Sequence, residues 1–266
     1  MRILLSLLLL LSPPALACGP DADCMVGERS YRIAMPEGHD GTTPVPALIW
    51  AHGFRGSAAG MMNNGSMRRM MSDAGFALIA AQGIDGRWEL PLGPGSYDSD
   101  GSAEFAFFDA VIADATQRFA VDPDRIVASG FSLGGMMVWN LVCARPDSYA
   151  GFIPYSGTFW LKPPEDCAAP VSSIVHIHGT RDTTVPLTGR AIRETKQGEV
   201  EEALDMYATF GAFGPAEMSV EGSLTCRNRS NAQGEILDFC LFDGGHSFRT
   251  EYLQHGLNAL IEAGQV

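Results

Sequence analysis

One stretch, Arg125 to Met137 (RIVASGFSLGGMM), limits the possible folds of this chain more than any other. A run of small and β-branched residues leads into Gly130-Phe131-Ser132-Leu133-Gly134-Gly135, and an apolar, helix-forming run follows. Glycines weaken a buried strand and a helix start unless the backbone there passes too close to its neighbours for a side chain. A strand, a tight turn and a helix, with a serine at the apex and glycines two residues to either side, form the G-x-S-x-G arrangement. Such a turn lifts the Ser132 hydroxyl clear of the sheet. It also sets the N–H groups and dipole of the new helix beneath that hydroxyl, where an anion is favoured. Ser132 is the candidate nucleophile, and the competing reading is an incidental serine in a Gly-rich turn.

The rest of the chain alternates in period. RSYRIAMP, PALIWAHG, FALIAAQG, RIVASG, GFIPYSG, SSIVHIHG and EILDFCLFDGG read as strands. The segment from Gly60 to Phe76 reads as one helix closed by Gly75. Further helices are expected over EFAFFDAVIADATQRF, Met136–Ala144, GEVEEALDMYATFGAF and FRTEYLQHGLNALIEA. This alternation predicts an α/β fold with a mostly parallel central sheet and helices on both faces. With no repeat and no low-complexity linker, residues 18–266 are expected to form a single domain. Ligands of such sheets bind beyond the carboxyl ends of the strands. The stretch from Gly83 to Ser102 is rich in Gly, Pro, Ser and Asp, and a loop of that length is usually functional or disordered.

A serine hydroxyl needs a base, and the base needs an acceptor that fixes its tautomer. Of six histidines, His39 and His255 read as solvated, His176 as packing, His178 as a structural hydrogen-bonding residue and His52 as a loop former. His246, in FDGGHSF after the last strand, is the candidate base. Asp182, in HGTRDTTVP, follows a strand and lies between Ser132 and His246 in order. Asp238 and Asp243 lie within or at the end of a strand, and Asp166 lies in a Pro-rich loop. Ser, then Asp, then His is the chain order of the α/β-hydrolase fold. The backbone N–H groups of Leu133 and Phe54 are the candidate oxyanion donors, with Gly53 and Gly56 letting the second loop come close. Trp88 and Trp160 are candidate substrate contacts.

Residues 1–17 begin with Arg2, continue through an apolar run to Leu11 and end in Ala15-Leu16-Ala17, which reads as a secretory signal peptide cleaved after Ala17. The run is too short to span a bilayer. A secreted or periplasmic location follows, and the six cysteines, all beyond the leader, are expected as disulfides. Cys18–Cys24, Cys143–Cys167 and Cys226–Cys240 are the expected local pairings. The net charge of −13 argues against nucleic acid and anionic lipid as partners.

Taken in order, CMVGERSYRIAMP, WAHGFRGSAAGM, VDPDRIVASGFSLGGMM, IHGTRDTTVP and GGHSF resemble the secreted polyhydroxybutyrate depolymerase-like esterases, which include feruloyl and acetylxylan esterases. The resemblance implies an α/β-hydrolase with Ser132, Asp182 and His246 as triad. It implies hydrolysis of carboxylic esters through an acyl-enzyme, with no metal and no cofactor. The chain departs from the family where members often carry DDVGF (here GSAEFAF) and where Trp and Pro often follow the histidine (here Ser247 and Phe248). No polymer-binding module is appended, so small or oligomeric esters are expected rather than crystalline polyester. The competing readings are a serine peptidase of the same fold and a non-catalytic binding protein that retains it. Oligomeric state is not legible.

Overall fold

The computed structural model describes residues 18–266, so the leader and its cleavage site lie outside the described residues. The strands are β1 (Cys24–Val26), β2 (Arg29–Ala34), β3 (Val45–Ala51), β4 (Ala77–Ala81), β5 (Val121–Phe131), β6 (Gly151–Tyr155), β7 (Ile174–Gly179), β8 (Arg190–Ile192), β9 (Thr195–Gln197), β10 (Glu217–Glu221), β11 (Leu224–Ser230) and β12 (Ile236–Phe242). The helices are α1 (Ala58–Met62), α2 (Gly65–Asp73), α3 (Ser102–Arg118), α4 (Leu133–Ala144), α5 (Val200–Phe210) and α6 (Thr250–Glu262).

Ten strands form one sheet in the order β1-β2-β4-β3-β5-β6-β7-β12-β11-β10, and β8 pairs with β9 as a separate hairpin. The central six, from β4 to β12, are parallel, and the outer strands at both ends are antiparallel. Buried parallel strands must be apolar on both faces. In β3, Ala47, Ile49 and Ala51 join one core, and Leu48 and Trp50 join the other. On the first face α3, α4 and α5 bury Phe108, Val111, Trp139 and Tyr207. On the second, α1, α2 and α6 bury Met62, Met67, Met71, Leu253 and Leu257.

The expected helix over Gly60–Gly75 is two helices. The chain breaks at Asn63-Asn64, where the Asn64 side chain accepts from the N–H of Met67 at 3.1 Å and starts α2 as its cap. Asparagine favours that position over a helix interior. Five further strands escaped the sequence reading, the first being β1, three residues at one end of the sheet. β10 (EMSVE) alternates, but its apolar residues Met218 and Val220 are exposed at 67% and 73%, so it buries no apolar face. β8 and β9 are three residues each. Cys18–Cys24, Cys143–Cys167 and Cys226–Cys240 are each joined in a disulfide, and the last links directly opposed residues of β11 and β12.

Candidate active site

The turn between β5 and α4 is as tight as its glycines require. A Cβ at Gly130 would lie 2.5 Å from the carbonyl oxygen of Gly134, and one at Gly134 would overlap the carbonyl oxygen of Ala51. Ser132 takes up the bend with φ 61° and ψ −119°, a conformation costly for a residue with a side chain. The turn is fixed from both sides: the Ser132 N–H donates to Tyr155 O at 2.9 Å, and Ser132 O accepts from the Met136 N–H at 3.0 Å.

Asp182 follows β7 in a turn that its own carboxylate builds. Oδ1 accepts the N–H groups of Thr184 and Val185, each at 2.8 Å. Oδ2 accepts from His246 Nδ1 at 2.6 Å. Burial opposes the charge of this carboxyl, but the His246 hydrogen bond and the Val185 and Thr184 N–H groups outweigh it and hold the carboxyl below its ordinary range. Because a carboxylate only accepts, the Nδ1 of His246 carries the proton and Nε2 is left free as a base. The His246 ring lies against Phe131, the residue before Ser132, with centroids 4.6 Å apart. The structure thus joins Asp182 to His246 directly and seats His246 beside the serine turn. No hydrogen bond connects His246 to Ser132 among the described residues. Such contacts often close only in the Michaelis complex.

The Phe54 and Leu133 N–H groups donate to nothing among the described residues, while their neighbours in the Phe54 loop are engaged: Arg55 N–H to Gly86 O and Gly56 N–H to Gly53 O, both at 2.8 Å. Ser132, Leu133, Phe54, Trp88 and Trp160 line one cleft of about 330 Å³ with Met136, Val185 and Ile192. Trp88 also packs: its Nε1–H donates to His52 O at 2.7 Å, and it is 4% exposed. The loop from Gly83 to Ser102 supplies part of this wall through Arg87, Trp88, Pro94 and Ser96.

His178 makes the structural hydrogen bond expected of it, and His176 does more than pack. Trp139 Nε1–H donates to His176 Nδ1 at 3.0 Å, His176 Nε2 meets His178 Nδ1 at 3.0 Å, and His178 Nε2 meets Val185 O at 2.8 Å. An indole only donates and a carbonyl only accepts, so every proton in the series is fixed: His176 donates to His178, and His178 donates to Val185. The same His178 Nε2 stands 3.5 Å from Asp182 Oδ2. Burial drives the His176 imidazole well below its ordinary pKa and that of His178 down to about 4, so both stay neutral. The period-2 spacing of the two histidines marked one strand face, but the series depends on Trp139 reaching them from α4.

The remaining candidates lie elsewhere. His52 shapes its loop, accepting the Gly83 N–H at 3.0 Å. His255, expected in solvent, instead sits on the Cys226–Cys240 bridge, with Nε2 3.4 Å from Cys240 Sγ and Nδ1 3.0 Å from Glu221. Asp243 pairs with Arg181 at 2.8 Å on the surface. Asp238 is buried beneath β11, and burial pushes its carboxyl up to about 7.

Residues 102–205 match the phospholipase/carboxylesterase family model. A Nocardia uniformis subsp. tsuyamanensis protein that carries an esterase name, NocK, is 31% identical over 168 residues, 60% of this chain and 47% of that protein. Feruloyl esterase C of Emericella nidulans is 25% identical over 62% of this chain and 58% of its own length. Feruloyl esterase B of Piromyces equi is 28% identical over 82% of this chain and 42% of its own. The chain spans about half the length of these relatives. Among solved structures, the Bacillus cereus carboxylesterase superposes with TM-score 0.60 at 15% identity, covering 88% of this chain and 94% of that one. The acetyl xylan esterase of Aspergillus awamori gives 0.61 at 13%, covering 94% and 97%. The chain is an α/β-hydrolase by fold, and within that fold it is similar to the esterases.

Proposed function

We propose that the protein is an exported serine esterase that hydrolyses small or oligomeric carboxylic esters. The observation that carries this reading is the 2.6 Å hydrogen bond from His246 to buried Asp182, beside a serine on a strained turn that opens into an apolar cleft. The three disulfides support export, since such bonds persist outside the reducing cytosol.

In this mechanism Ser132 Oγ attacks the ester carbonyl and its proton passes to Nε2 of His246. The cation is stabilised through Nδ1 by Asp182. The Phe54 and Leu133 N–H groups receive the developing oxyanion. As the tetrahedral intermediate collapses, His246 returns the proton to the departing alcohol and leaves an acyl group on Ser132. Water, deprotonated by the same Nε2, then releases the acid. Feruloyl, acetyl and hydroxybutyrate-type esters are the acyl classes to test.

The test is a panel of short acyl aryl esters, feruloyl esters, hydroxybutyrate oligomers and peptide anilides, run on wild type and Ser132→Ala, with labelling by a fluorophosphonate. Ester turnover and labelling that both vanish in a folded Ser132→Ala protein are expected. Turnover at wild-type rates in that variant would remove Ser132 from the mechanism. Preference for anilides would make the enzyme a peptidase.

A further inference from the structure

We infer that the cleft selects esters bearing a carboxylate, held by Arg190 and Arg193 with Arg87 opposite. This deepens the esterase reading above and rests on it. The three arginines line the same cleft as Ser132. The chain carries 31 Asp and Glu, yet none is among the residues that line this cleft. Of the twelve described arginines elsewhere, eight are paired with a carboxylate. Arg87, Arg190 and Arg193 have no such partner within 4.0 Å among the described residues.

Two of the three guanidiniums, those of Arg190 and Arg87, have contacts that place them. Arg190 Nε donates to Gln197 Oε1 at 3.1 Å across the β8–β9 hairpin. Arg193 sits at the tip of that hairpin with φ 52°. The adjacent Glu194 carboxylate is turned to the Gly95 N–H at 3.0 Å. Arg87 lies over the Phe54 ring, 5.1 Å from its centroid. It also borders a separate hollow with Asp85 and Glu89, and Arg193 has Glu194 beside it in the chain, so Arg190 is the member of the three with no carboxylate nearby.

The field of a protein with net charge −13 repels anions at long range, and three arginines in a cleft lined by no carboxylate oppose that locally. The forked guanidinium donors match a carboxylate. Trp88, Trp160, Leu133, Met136 and Ile192 offer apolar walls to the body of the same molecule. Together they fit an ester with an apolar body and an anionic end.

The test compares esters matched except for charge. One pair places the charge on the acyl side: mono-4-nitrophenyl glutarate against 4-nitrophenyl methyl glutarate. The other places it on the alcohol side: 4-acetoxybenzoate against its methyl ester. In at least one pair the charged member should give about tenfold higher kcat/KM, the worth of one charge-assisted hydrogen bond. The responding pair tells which side of the ester faces the arginines. In the double variant Arg190→Gln/Arg193→Gln that charged-to-neutral ratio should fall about tenfold, and raised salt should lower it in wild type. Calorimetric binding of glutarate to Ser132→Ala, lost in the same protein carrying both glutamines, reads the anion site without turnover. A ratio at or below one in both pairs overturns the proposal while leaving the esterase reading in place. So does a ratio that the double variant does not change. Glutarate binding without turnover of any ester would instead sink the esterase reading. Absence of both glutarate binding and turnover sinks the two together.

Discussion

Replacing His178 with phenylalanine tests whether the buried imidazole series supports the acid of the site. The side chain is fully buried and makes two hydrogen bonds, one to Val185 O at 2.8 Å and one from His176 at 3.0 Å. Phenylalanine fills the space but orphans both partners, at about 1–3 kcal/mol each. Partial relaxation brings the expected loss to about 2–4 kcal/mol at pH 7.5. The pH dependence gives a second, independent number. The folded-state pKa of His178 is depressed to about 4, against about 6.5 for the unfolded chain. Its contribution to stability is therefore fully present above about pH 6.5 and is lost as the pH falls through about 4. At pH 5.0 the wild type has lost about 2 kcal/mol through this residue, and the phenylalanine variant loses nothing there. Guanidinium unfolding of both proteins at pH 7.5 and 5.0, with disulfides intact, should show the variant's deficit shrinking by about 2 kcal/mol in acid. A deficit equal at both pH values, or under about 1 kcal/mol at pH 7.5, would refute this account of the series.

Asp182→Asn should lower kcat on a short aryl ester about 10³–10⁴-fold, because an amide at Oδ2 favours the wrong imidazole tautomer; a loss under about tenfold contradicts the role given to Asp182. Gly134→Ala should cost at least about 3 kcal/mol, since its Cβ would overlap the Ala51 carbonyl, and thermal unfolding should show a fall of about 6–12 °C or no folded protein. Asp238, raised to about 7, contributes stability that is fully present below about pH 4 and is lost as the pH rises through about 7. Wild type should therefore lose melting temperature from this residue between pH 5 and 8, and Asp238→Asn should flatten that slope.

What the sequence revealed about the site is what local spacing encodes. Glycines two residues to either side of Ser132, and glycine-flanked loops after the strands that precede Asp182 and His246, are legible because each turn is built by its own neighbours. The cleft arginines were not legible. Arg190 and Arg193 stand in RAIRETKQ, whose hairpin is too short to show a period, and only the fold turns it toward Trp160 and Ser132. The Gly189 and Gly198 that bracket this segment were the available signal. The histidine series was missed because its first member, Trp139, belongs to α4, and the register between that helix and β7 is a property of packing alone. The edge hairpin β10–β11 was missed for another reason: the apolar residues of β10, Met218 and Val220, are exposed, so the strand has no buried apolar face of the kind that marks a half-buried strand.

Ser132, Asp182 and His246 stand after β5, β7 and β12, three strands of the sheet's middle that are separated in the chain by helices and long loops. No fragment that ends before β12 holds all three, and β7 and β12 align as Leu237 to Ile174 and Phe242 to Gly179, which brings the imidazole to its carboxylate. On the proposed mechanism, a chain that has not yet formed β12 cannot activate Ser132. On the same mechanism, turnover during refolding requires that this parallel pair has docked.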